Sequence, residues 1–413
     1  MASRRPACVI GDLNLVRCLA RVGVPVTLAS WRAEHTNGLS RHCAARLRLP
    51  DPTHDPEGAV ATLLAHALGC ASRPVLFYTG DPDLLLVSRA RHRLARAYDF
   101  VIAEGALVEA LVDKVRFHAL AERLGLPTPP TLPLPPGSDR AAAIAAWAHY
   151  PCVLKPACRR IGWEGSPLLR AYGRPAKVIG IADPAEWRPL LPHVAAHREP
   201  LLLQAAIPGD ETRIVSYHAY FTVAGEAVAE FTGRKVRTFP REWGHSTCVE
   251  ITDHRDLRAL GRAIATRLGL RGVVKLDFKE HPLTGQRFLL EVNPRFNLWH
   301  WPAAVAGVNL PALVYRDLTG AAMPAPRPLR RGVRWLSFLD DLNAFRDYRR
   351  SGDLTLPAWL ASLARCRAWE GFAWDDPLPA AVAFGRFVLR TGRRLLQRKA
   401  PPLPIRDAMA TPR

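Results

Sequence analysis

Two segments of the chain, GVVKLDFK (residues 272–279) and RFLLEVNPR (residues 287–295), decide how the rest of the sequence is interpreted. Each segment alternates apolar and polar residues, which is typical of a strand with one face in a core. Thr284-Gly285, between them, predicts a turn. The two segments therefore predict a hairpin of paired strands.

The polar face of this hairpin gathers groups that suit a metal ion and phosphate. Lys275 and Asp277 share one face of the first strand, and Glu291 and Asn293 share one face of the second. Carboxylate and amide oxygens are suited to Mg²⁺ that bridges nucleotide phosphates, with Mn²⁺ as a second candidate. The alternative is that these are solvated residues on an ordinary hairpin, and this motif alone does not decide between the two.

The composition narrows the class of protein. With 413 residues, of which 48% are hydrophobic and 23% charged, the chain resembles a globular protein of two or three domains rather than a disordered one. No apolar run approaches the ~20 residues of a membrane-spanning helix, which argues against an integral membrane protein. The eight cysteines are scattered without a Cys-x-x-Cys pair, so no zinc ribbon or disulfide framework is expected and a cytoplasmic location fits.

The net charge of +20 would attract phosphate-bearing ligands, nucleic acid or anionic lipid. Lys and Arg together number 57, but only seven of them are lysines. Part of the charge therefore reflects a general preference for arginine rather than a partner. The rare lysines are the more informative of the basic residues.

The surrounding patterns predict an α/β chain. Residues 7–11, 25–29 and 74–79 predict strands and residues 13–22 a helix, which together begin a parallel sheet. Two more helices are expected, one ending near residue 97 and one at 106–125, before a proline-rich linker at 131–138. The expected elements that follow are helices at 139–149 and 255–268 and strands at 152–155, 201–204, 214–223 and 226–231.

Further motifs precede the hairpin in a fixed order. Asp113-Lys114 stands at a helix, Lys155 ends the segment VLKP (residues 153–156), and LLLQAAIPGDE spans residues 201–211. This ordered set resembles the ATP-grasp superfamily of carboxylate-activating ligases over about residues 1–320. The segments GRKVR (233–237) and NPRFNLW (293–299) are similar to the uncharacterised carboxylate–amine ligase branch.

The resemblance implies an α/β fold with several parts. An N-terminal parallel-sheet pre-ATP-grasp domain would span 1–110, and a two-lobed α+β ATP-grasp domain would span 111–320, with lobes at about 111–205 and 206–320. A linker at 321–331 would lead to a small, mostly helical, basic C-terminal extension at 332–400 and a disordered tail at 401–413.

The resemblance also implies a nucleotide site. Lys114 and Lys155 would neutralise phosphate oxygens, the alternative being that they are solvated surface charges. Gln204, Ala205, Ala206 and Ile207 would line the adenine pocket. Glu211 would accept hydrogen bonds from the ribose hydroxyls, the alternative being an acid that caps a turn.

The remaining roles concern the metal and the reaction. Asp277, Glu291 and Asn293 would hold one or two Mg²⁺ ions, and Lys275 would stabilise the charge that develops during phosphoryl transfer. Arg295 would clamp a substrate carboxylate or an acyl phosphate. Arg234 and Lys235, with Arg237, would face the cleft after strand 226–231 and suit an anionic acceptor, the alternative being an ordinary basic loop.

One loop departs from the family pattern. Residues 157–167 should close over the phosphates, but they are poor in glycine and contain Arg159, Arg160 and Trp163. A phosphate clamp made by these side chains is therefore expected, or an altered activity. His245 and His300 are expected to be packing or hydrogen-bonding residues rather than general bases.

The function that these observations imply is an ATP-dependent ligase. It would activate a substrate carboxylate as an acyl phosphate and join it to an amine, with release of ADP and phosphate. One alternative keeps the ATP site but uses a thiol or another acceptor. A second alternative is a non-catalytic, basic protein that binds nucleic acid or a membrane surface, although no nucleic-acid-binding module is recognisable.

The expected partners follow from this function. They are ATP, Mg²⁺, a small-molecule carboxylate and an amine, with no specific nucleic acid, and a homodimer is compatible with the sequence. Residues 380–399 predict a basic amphipathic helix that would lie on an anionic membrane or an acidic partner, which would place the protein at the inner membrane face. The favoured alternative is that this helix packs on the ligase body.

Overall fold

The N-terminal domain is built on a parallel sheet, as the sequence predicts, and the order of its strands is β3-β2-β1-β4. We describe the protein from a computed structural model, which covers residues 4–32, 36–158, 163–173 and 176–398, with side chains to residue 389. The strands are β1 (Ala7–Ile10), β2 (Val26–Ser30), β3 (Cys43–Arg48) and β4 (Val75–Tyr78). The helices are α1 (Leu13–Ala20), α2 (Pro56–Leu68), α3 (Asp81–Arg89), α4 (Arg91–Leu94) and α5 (Gly105–Val112).

The helix predicted at 106–125 is two helices. α5 ends at Val112, and α6 (Lys114–Arg123) begins two residues later. Asp113 between them has an extended backbone, and its side chain accepts hydrogen bonds from the N–H groups of Val115 and Arg116. This N-cap satisfies donors at the start of α6 and fixes Lys114 as the first residue of the helix.

The first lobe of the next domain is a small antiparallel sheet with the strand order β5-β8-β6-β7. Its strands are β5 (Thr131–Leu134), β6 (Cys152–Pro156), β7 (Ile179–Ile181) and β8 (Leu201–Ala205), and its helices are α7 (Arg140–Ala145), α8 (Pro167–Tyr172) and α9 (Leu191–Ala196). Trp163 lies at the centre of this lobe, is 0% exposed and donates to the carbonyl of Ala176. The expectation that Trp163 helps to clamp phosphate is therefore wrong, because its ring fills the core. Arg159 and Arg160 lie outside the described residues.

The second lobe is a larger sheet with the strand order β13-β12-β9-β10-β11-β14-β15. Its elements are β9 (Ile214–Phe221), β10 (Ala227–Phe239), β11 (His245–Thr252), α10 (Arg255–Arg267), β12 (Gly272–Glu280), β13 (Arg287–Asn293), α11 (His300–Ala306) and α12 (Leu310–Thr319). One face of this sheet packs against α10 and α5. One end of the other face packs against α11 and α12. The uncovered part of this second face forms one wall of a cleft.

The C-terminal extension continues the same sheet. It contains β14 (Arg334–Leu336), α13 (Phe338–Arg350), α14 (Leu356–Ala364), β15 (Cys366–Trp369) and α15 (Leu378–Arg398). β14 pairs with β11 and with β15. The extension is mostly helical, as predicted, but two of its strands lengthen the sheet of the second lobe. The expected tail at 401–413 lies outside the described residues.

Helix α15 contacts residues 36–39 of the N-terminal domain, but part of its apolar side is exposed. Phe384 is 53% exposed, Val388 51% and Leu389 67%. The side chains of residues 390–398 lie outside the described part of the chain. No helix within that part is long and apolar enough to span a membrane.

Candidate active site

The predicted hairpin forms in the predicted register. β12 and β13 are antiparallel, with Lys275 opposite Asn293 and Asp277 opposite Glu291. Cross-strand neighbours lie on the same face of a sheet, so all four side chains face the cleft together. The apolar residues between them, Leu276 and Val292, are buried in the core behind the sheet.

The charges on this hairpin are only partly paired with one another. Lys275 Nζ donates to Asp277 Oδ2 at 2.5 Å, and Asn293 Nδ2 donates to Glu291 Oε1 at 3.0 Å. Burial raises the pKa of Asp277 to about 6 against the pull of Lys275, and the adjacent Glu291 carboxylate adds to the increase. Desolvation opposes ionisation of Glu291, but Lys275, Asp277 and Lys235 together hold the pKa of Glu291 well below its usual range. The two carboxyl groups therefore share one site and act on each other.

The oxygen atoms of this hairpin fit a magnesium ion. Within the described residues there is no group of three or more His, Cys, Asp or Glu side chains that could hold a metal. The hairpin offers two carboxylates and the amide of Asn293, and Asp277 Oδ1 is buried without a hydrogen-bond partner in that part of the chain. Mg²⁺ is usually held by one or two carboxylates and completed by water and phosphate oxygens. The donor set matches that pattern.

Two lysines from the first lobe lie at the same cleft. Lys155, on β6, donates to Gln204 Oε1 at 2.6 Å, and Lys114 Nζ is 3.4 Å from the carbonyl oxygen of Ala157. Burial lowers the pKa of Lys155 to about 8, and the positive charge of Lys114 contributes to the decrease. Glu291 acts on Lys155 in the opposite direction, so the lysines and the hairpin are in electrostatic contact. Two neighbouring ammonium groups suit a ligand with several negative charges.

Strand β10 is longer than the sequence predicts, and this separates the three basic residues expected at the cleft. Lys235 is on the cleft face, where burial lowers its pKa while Asp277, Glu291 and Glu211 oppose the decrease. Arg234 points to the other face and donates to Glu250 at 3.1 Å. Arg237 is buried and pairs with both carboxylate oxygens of Asp341. The three residues therefore lie inside a strand rather than after it.

The segment expected at adenine begins at the end of β8. The amide of Gln204 is fixed between Lys155 and Thr131 Oγ1, which accepts from Gln204 Nε2 at 2.8 Å. The N–H groups of Ala205 and Ala206 already donate to backbone carbonyls. The N–H of Ile207 has no acceptor among the described residues, so it is the donor of this segment that remains for a base edge.

Glu211 is close to this segment but is largely enclosed. Its side chain is buried, and Oε1 accepts a hydrogen bond of 2.7 Å from the backbone N–H of Glu242. Lys279 lies beside it, and its Nζ donates to the carbonyl of Gly209 at 2.5 Å. Sequence reasoning did not single out Lys279, although its rarity as a lysine and its position on β12 were available signals.

Arg295 connects the hairpin to the N-terminal domain. Its Nε donates to Asp81 Oδ1 at 2.5 Å, its Nη1 to the carbonyl of Thr79 at 3.0 Å, and its Nη2 to Asn293 Oδ1 at 3.2 Å. Asp81 was not anticipated, because nothing local in the sequence joins positions that are 214 residues apart. The usable signal was its place at the carboxyl end of a parallel strand.

Comparisons with known proteins agree with this architecture. A family model described as ATP-grasp in the biosynthetic pathway with Ter operon matches residues 221–338, which contain the hairpin. N5-carboxyaminoimidazole synthetase from Staphylococcus aureus, solved with ADP, aligns with a TM-score of 0.61 at 11% identity, over 84% of this chain and 87% of that one. The fold of this chain is therefore similar to that of ATP-grasp proteins.

Two further solved structures align with this chain over a similar extent. L-amino acid ligase from Bacillus licheniformis aligns with a TM-score of 0.58 at 14% identity, over 81% of this chain and 79% of that one. Biotin carboxylase from Campylobacter jejuni aligns with a TM-score of 0.58 at 12% identity, over 80% and 74%. No curated protein sequence matches the chain. At these identities the solved structures show the fold alone.

A large cleft beside the hairpin of β12 and β13 has walls from three parts of the chain. Its volume is about 2210 Å³, and it is lined by the carboxyl ends of β1 and β4, by Lys114, and by residues 369–372 of the extension. β1 and β4 are neighbours at the point where the strand order of the sheet reverses, which is where open α/β sheets bind ligands. This cleft therefore has room for a small-molecule ligand next to Lys114.

The two histidines do not act at the cleft as free bases. His300 is 0% exposed, packs 5.4 Å from the ring of Phe296, and burial lowers its pKa to about 3. His245 pairs with Asp340 at 3.2 Å at the start of β11. Both placements agree with packing and hydrogen-bonding roles.

Proposed function

We propose that the protein is an ATP-dependent carboxylate–amine ligase that uses ATP with Mg²⁺ or Mn²⁺. The proposal depends mainly on two groups of side chains that lie at the same cleft. Lys114 and Lys155 are suited to bind phosphate. The oxygen atoms of Asp277, Glu291 and Asn293 are suited to bind Mg²⁺. The ATP-grasp fold and the structural likeness to an L-amino acid ligase support the same reaction class.

The proposed reaction has two steps. An oxygen of the substrate carboxylate attacks the γ-phosphorus of ATP, the bond from that phosphorus to the ADP oxygen breaks, and an acyl phosphate forms. The amine nitrogen then attacks the acyl carbon, the carbon–oxygen bond to phosphate breaks, and the amine loses a proton. The products are an amide, ADP and phosphate.

The residues of the chain act by placement and by charge. Lys114 and Lys155 hold phosphate oxygens, and Lys275 with Lys235 stabilises charge on the transferred group. Arg295 orients the substrate carboxylate or the acyl phosphate beside the hairpin. A bound Mg²⁺ would supply further charge neutralisation on the phosphates. Arg234 has no part in this proposal, because its guanidinium faces away from the cleft.

This proposal and its nearest alternative differ in the acceptor of the acyl group, which is an amine in the first and a thiol in the second. ADP release by the purified protein, measured across a panel of carboxylates in the presence of amines or thiols, tests both. Amide formation with stoichiometric ADP supports the ligase, and thioester formation supports the same ATP site with a thiol acceptor. A protein that releases no ADP with any pair, and that MgATP does not stabilise against heat, contradicts both.

We also propose that α15 contacts an anionic membrane. The exposed side chains of Phe384, Val388 and Leu389 adjoin a sequence with five arginines and no acidic residue between 386 and 398. Sedimentation with phosphatidylserine vesicles, lost in high salt and lost on truncation at 377, is the expected result. Equal sedimentation with neutral vesicles contradicts the proposal.

A further inference from the structure

Arg295 is the only residue described at the hairpin that also bonds to the N-terminal sheet, and its main anchor there is Asp81. We propose that Asp81 is a positioning residue of the phosphoryl-transfer site, which holds Arg295 and, through it, the amide of Asn293. The inference rests on the proposed function of that site. It assigns a role in phosphoryl transfer to a domain that contributes none of the proposed metal ligands.

The turn that carries Asp81 is fixed by hydrogen bonds. Thr79 continues the pairing of β4 with β1, and its N–H donates to the carbonyl of Ile10 at 3.1 Å. The N–H of Gly80 donates to Asp83 Oδ2 at 2.9 Å, and the buried Asp83 also accepts from Trp31 Nε1 at 3.2 Å. Asp81 is therefore presented by a short turn with little freedom to move.

Close packing of the two strand ends adds to this rigidity. A Cβ atom at Gly11, at the end of β1, would lie 2.6 Å from the side chain of Thr79. Only glycine permits this approach, so the ends of β1 and β4 are in direct contact. The carbonyl of Thr79, the second anchor of Arg295, is consequently fixed as well.

The guanidinium group transmits this geometry to the hairpin. Its three nitrogens donate to three different acceptors, on Asp81, Thr79 and Asn293, and the group is planar. With Nε and Nη1 held by the N-terminal domain, the direction of Nη2 is set, and so is the position of Asn293 Oδ1. Asn293 Nδ2 in turn donates to Glu291. The chain of contacts thus ends on two of the proposed metal ligands.

Asp81 also borders the space where a substrate would bind. Its side chain is 47% exposed and lines the large cleft. An ion pair as exposed as this contributes little to folding, so a role in stability alone would leave small effects on mutation. A role in positioning would instead appear in turnover and in the dependence on metal concentration.

The test compares Asp81→Asn with a matched variant that breaks a different ion pair of helix α3. Glu109→Gln breaks an ion pair of 2.7 Å between Arg89 of α3 and Glu109 of α5, neither of which bonds to Arg295. For Asp81→Asn we expect kcat for ADP release to fall about tenfold and the Mg²⁺ concentration for half-maximal rate to rise several-fold. The KM for ATP should change less than about twofold. Glu109→Gln should leave all three values unchanged.

Asp81→Glu keeps the charge and should recover most of the lost rate, which a merely structural role would not predict. Wild-type kcat and Mg²⁺ dependence in Asp81→Asn would overturn the proposal. Asp81→Ser replaces the asparagine variant if that variant does not fold.

If the wild-type protein releases no ADP, the proposed function is contradicted, but the positioning role of Asp81 can still be tested. Crystal structures of wild type and Asp81→Asn then show whether Asp81 holds Arg295 in place. An Arg295 that leaves Asn293 supports positioning, and an unmoved Arg295 contradicts it.

Discussion

Strand β10 carries two charged clusters whose central cations are only two residues apart. Lys235 belongs to the cleft cluster, with Lys275, Asp277 and Glu291. Arg237 belongs to a buried cluster in which Asp341 accepts hydrogen bonds of 2.8 Å from Arg237, Thr247 and Trp359. In the second cluster both carboxylate oxygens are occupied, whereas in the first a buried carboxylate oxygen of Asp277 has no partner within the described residues.

The difference distinguishes the charged groups that stabilise the fold, around Arg237, from the charged groups that are suited to bind a ligand, around Lys235. Complete pairing compensates the desolvation of the Arg237–Asp341 pair and fastens α13 and α14 to β10 and β11. Incomplete pairing in the cleft leaves the pKa values of Asp277 and Glu291 displaced in opposite directions. Such displacement is typical of functional sites. We therefore expect mutations of the first cluster to change the reaction and mutations of the second to change stability.

The largest effect is expected for Glu291→Gln. The change keeps the size of the side chain but removes a charge that would retain Mg²⁺, so ADP release should fall by about 10²–10⁴-fold. The midpoint of thermal unfolding should fall, because Lys275 and Lys235 stabilise the Glu291 carboxylate and its low pKa means that the anion favours the folded state. Asp277→Asn should reduce ADP release to a similar extent, and the double variant should be little worse than either single one. Normal ADP release from Glu291→Gln would contradict the metal assignment.

For Asp341→Asn we expect a large effect on stability rather than on activity. Asp341 is 0% exposed. Asparagine has no negative charge, so the variant leaves the buried guanidinium of Arg237 without a compensating anion. The free energy of unfolding in urea should decrease by about 3–5 kcal/mol. ADP release per folded molecule should change much less than in Glu291→Gln.

Trp359→Phe is the control for this second cluster. It removes a single hydrogen bond to Asp341 Oδ2 and should cost about 1 kcal/mol in the same urea experiment. A cost for Asp341→Asn no greater than that of Trp359→Phe would contradict the view that Asp341 compensates a buried charge.

The sequence predicted the local part of the site and missed its long-range part. The hairpin was accessible because a period of two fixes the faces of Lys275, Asp277, Glu291 and Asn293 without reference to the rest of the chain. The bond from Lys155 to Gln204 depends on the register of β6 against β8, and the bond from Arg295 to Asp81 depends on how two domains meet. Neither can be obtained from a local pattern.

The fold shows the same division. The sequence predicted the strands with strong apolar character but missed β3. The sequence of β3, CAARLR, has arginines and alanines that do not alternate clearly. The predicted end of β10 at residue 231 was wrong, since the strand continues to Phe239. Gly233 is required inside the strand, since a Cβ atom there would lie 2.2 Å from the ring of Trp299.

A smaller effect is expected from the pH dependence of ATP binding. Lys155 must be protonated to hold phosphate, and its pKa is lowered to about 8, so the KM for ATP should rise as pH increases through that value. At one pH unit above the pKa the increase should be about tenfold. Lys114→Gln removes a like charge, which should raise the pKa of Lys155 and move the break to higher pH.

Arg116→Gln is the matched control for this pH experiment. Arg116 is exposed on the same helix as Lys114, and it is absent from the charges that act on Lys155. The break in KM should stay at the same pH in this variant. An identical break in Lys114→Gln would show that the two lysines do not act on each other.

The smallest effect is expected for Arg234→Gln, although Arg234 is the immediate neighbour of Lys235. Alternation along β10 turns its side chain away from the cleft, and its partner Glu250 is also held by Arg334 at 2.6 Å. The pair is 39% exposed on the arginine side, so its loss should cost at most about 1 kcal/mol in urea unfolding. Steady-state ADP release should remain within about twofold of wild type. Because Arg334 keeps Glu250 neutralised, no buried charge is left behind to disturb the sheet. A tenfold fall in ADP release from Arg234→Gln would place this residue back at the cleft and contradict the separation of the two faces of β10.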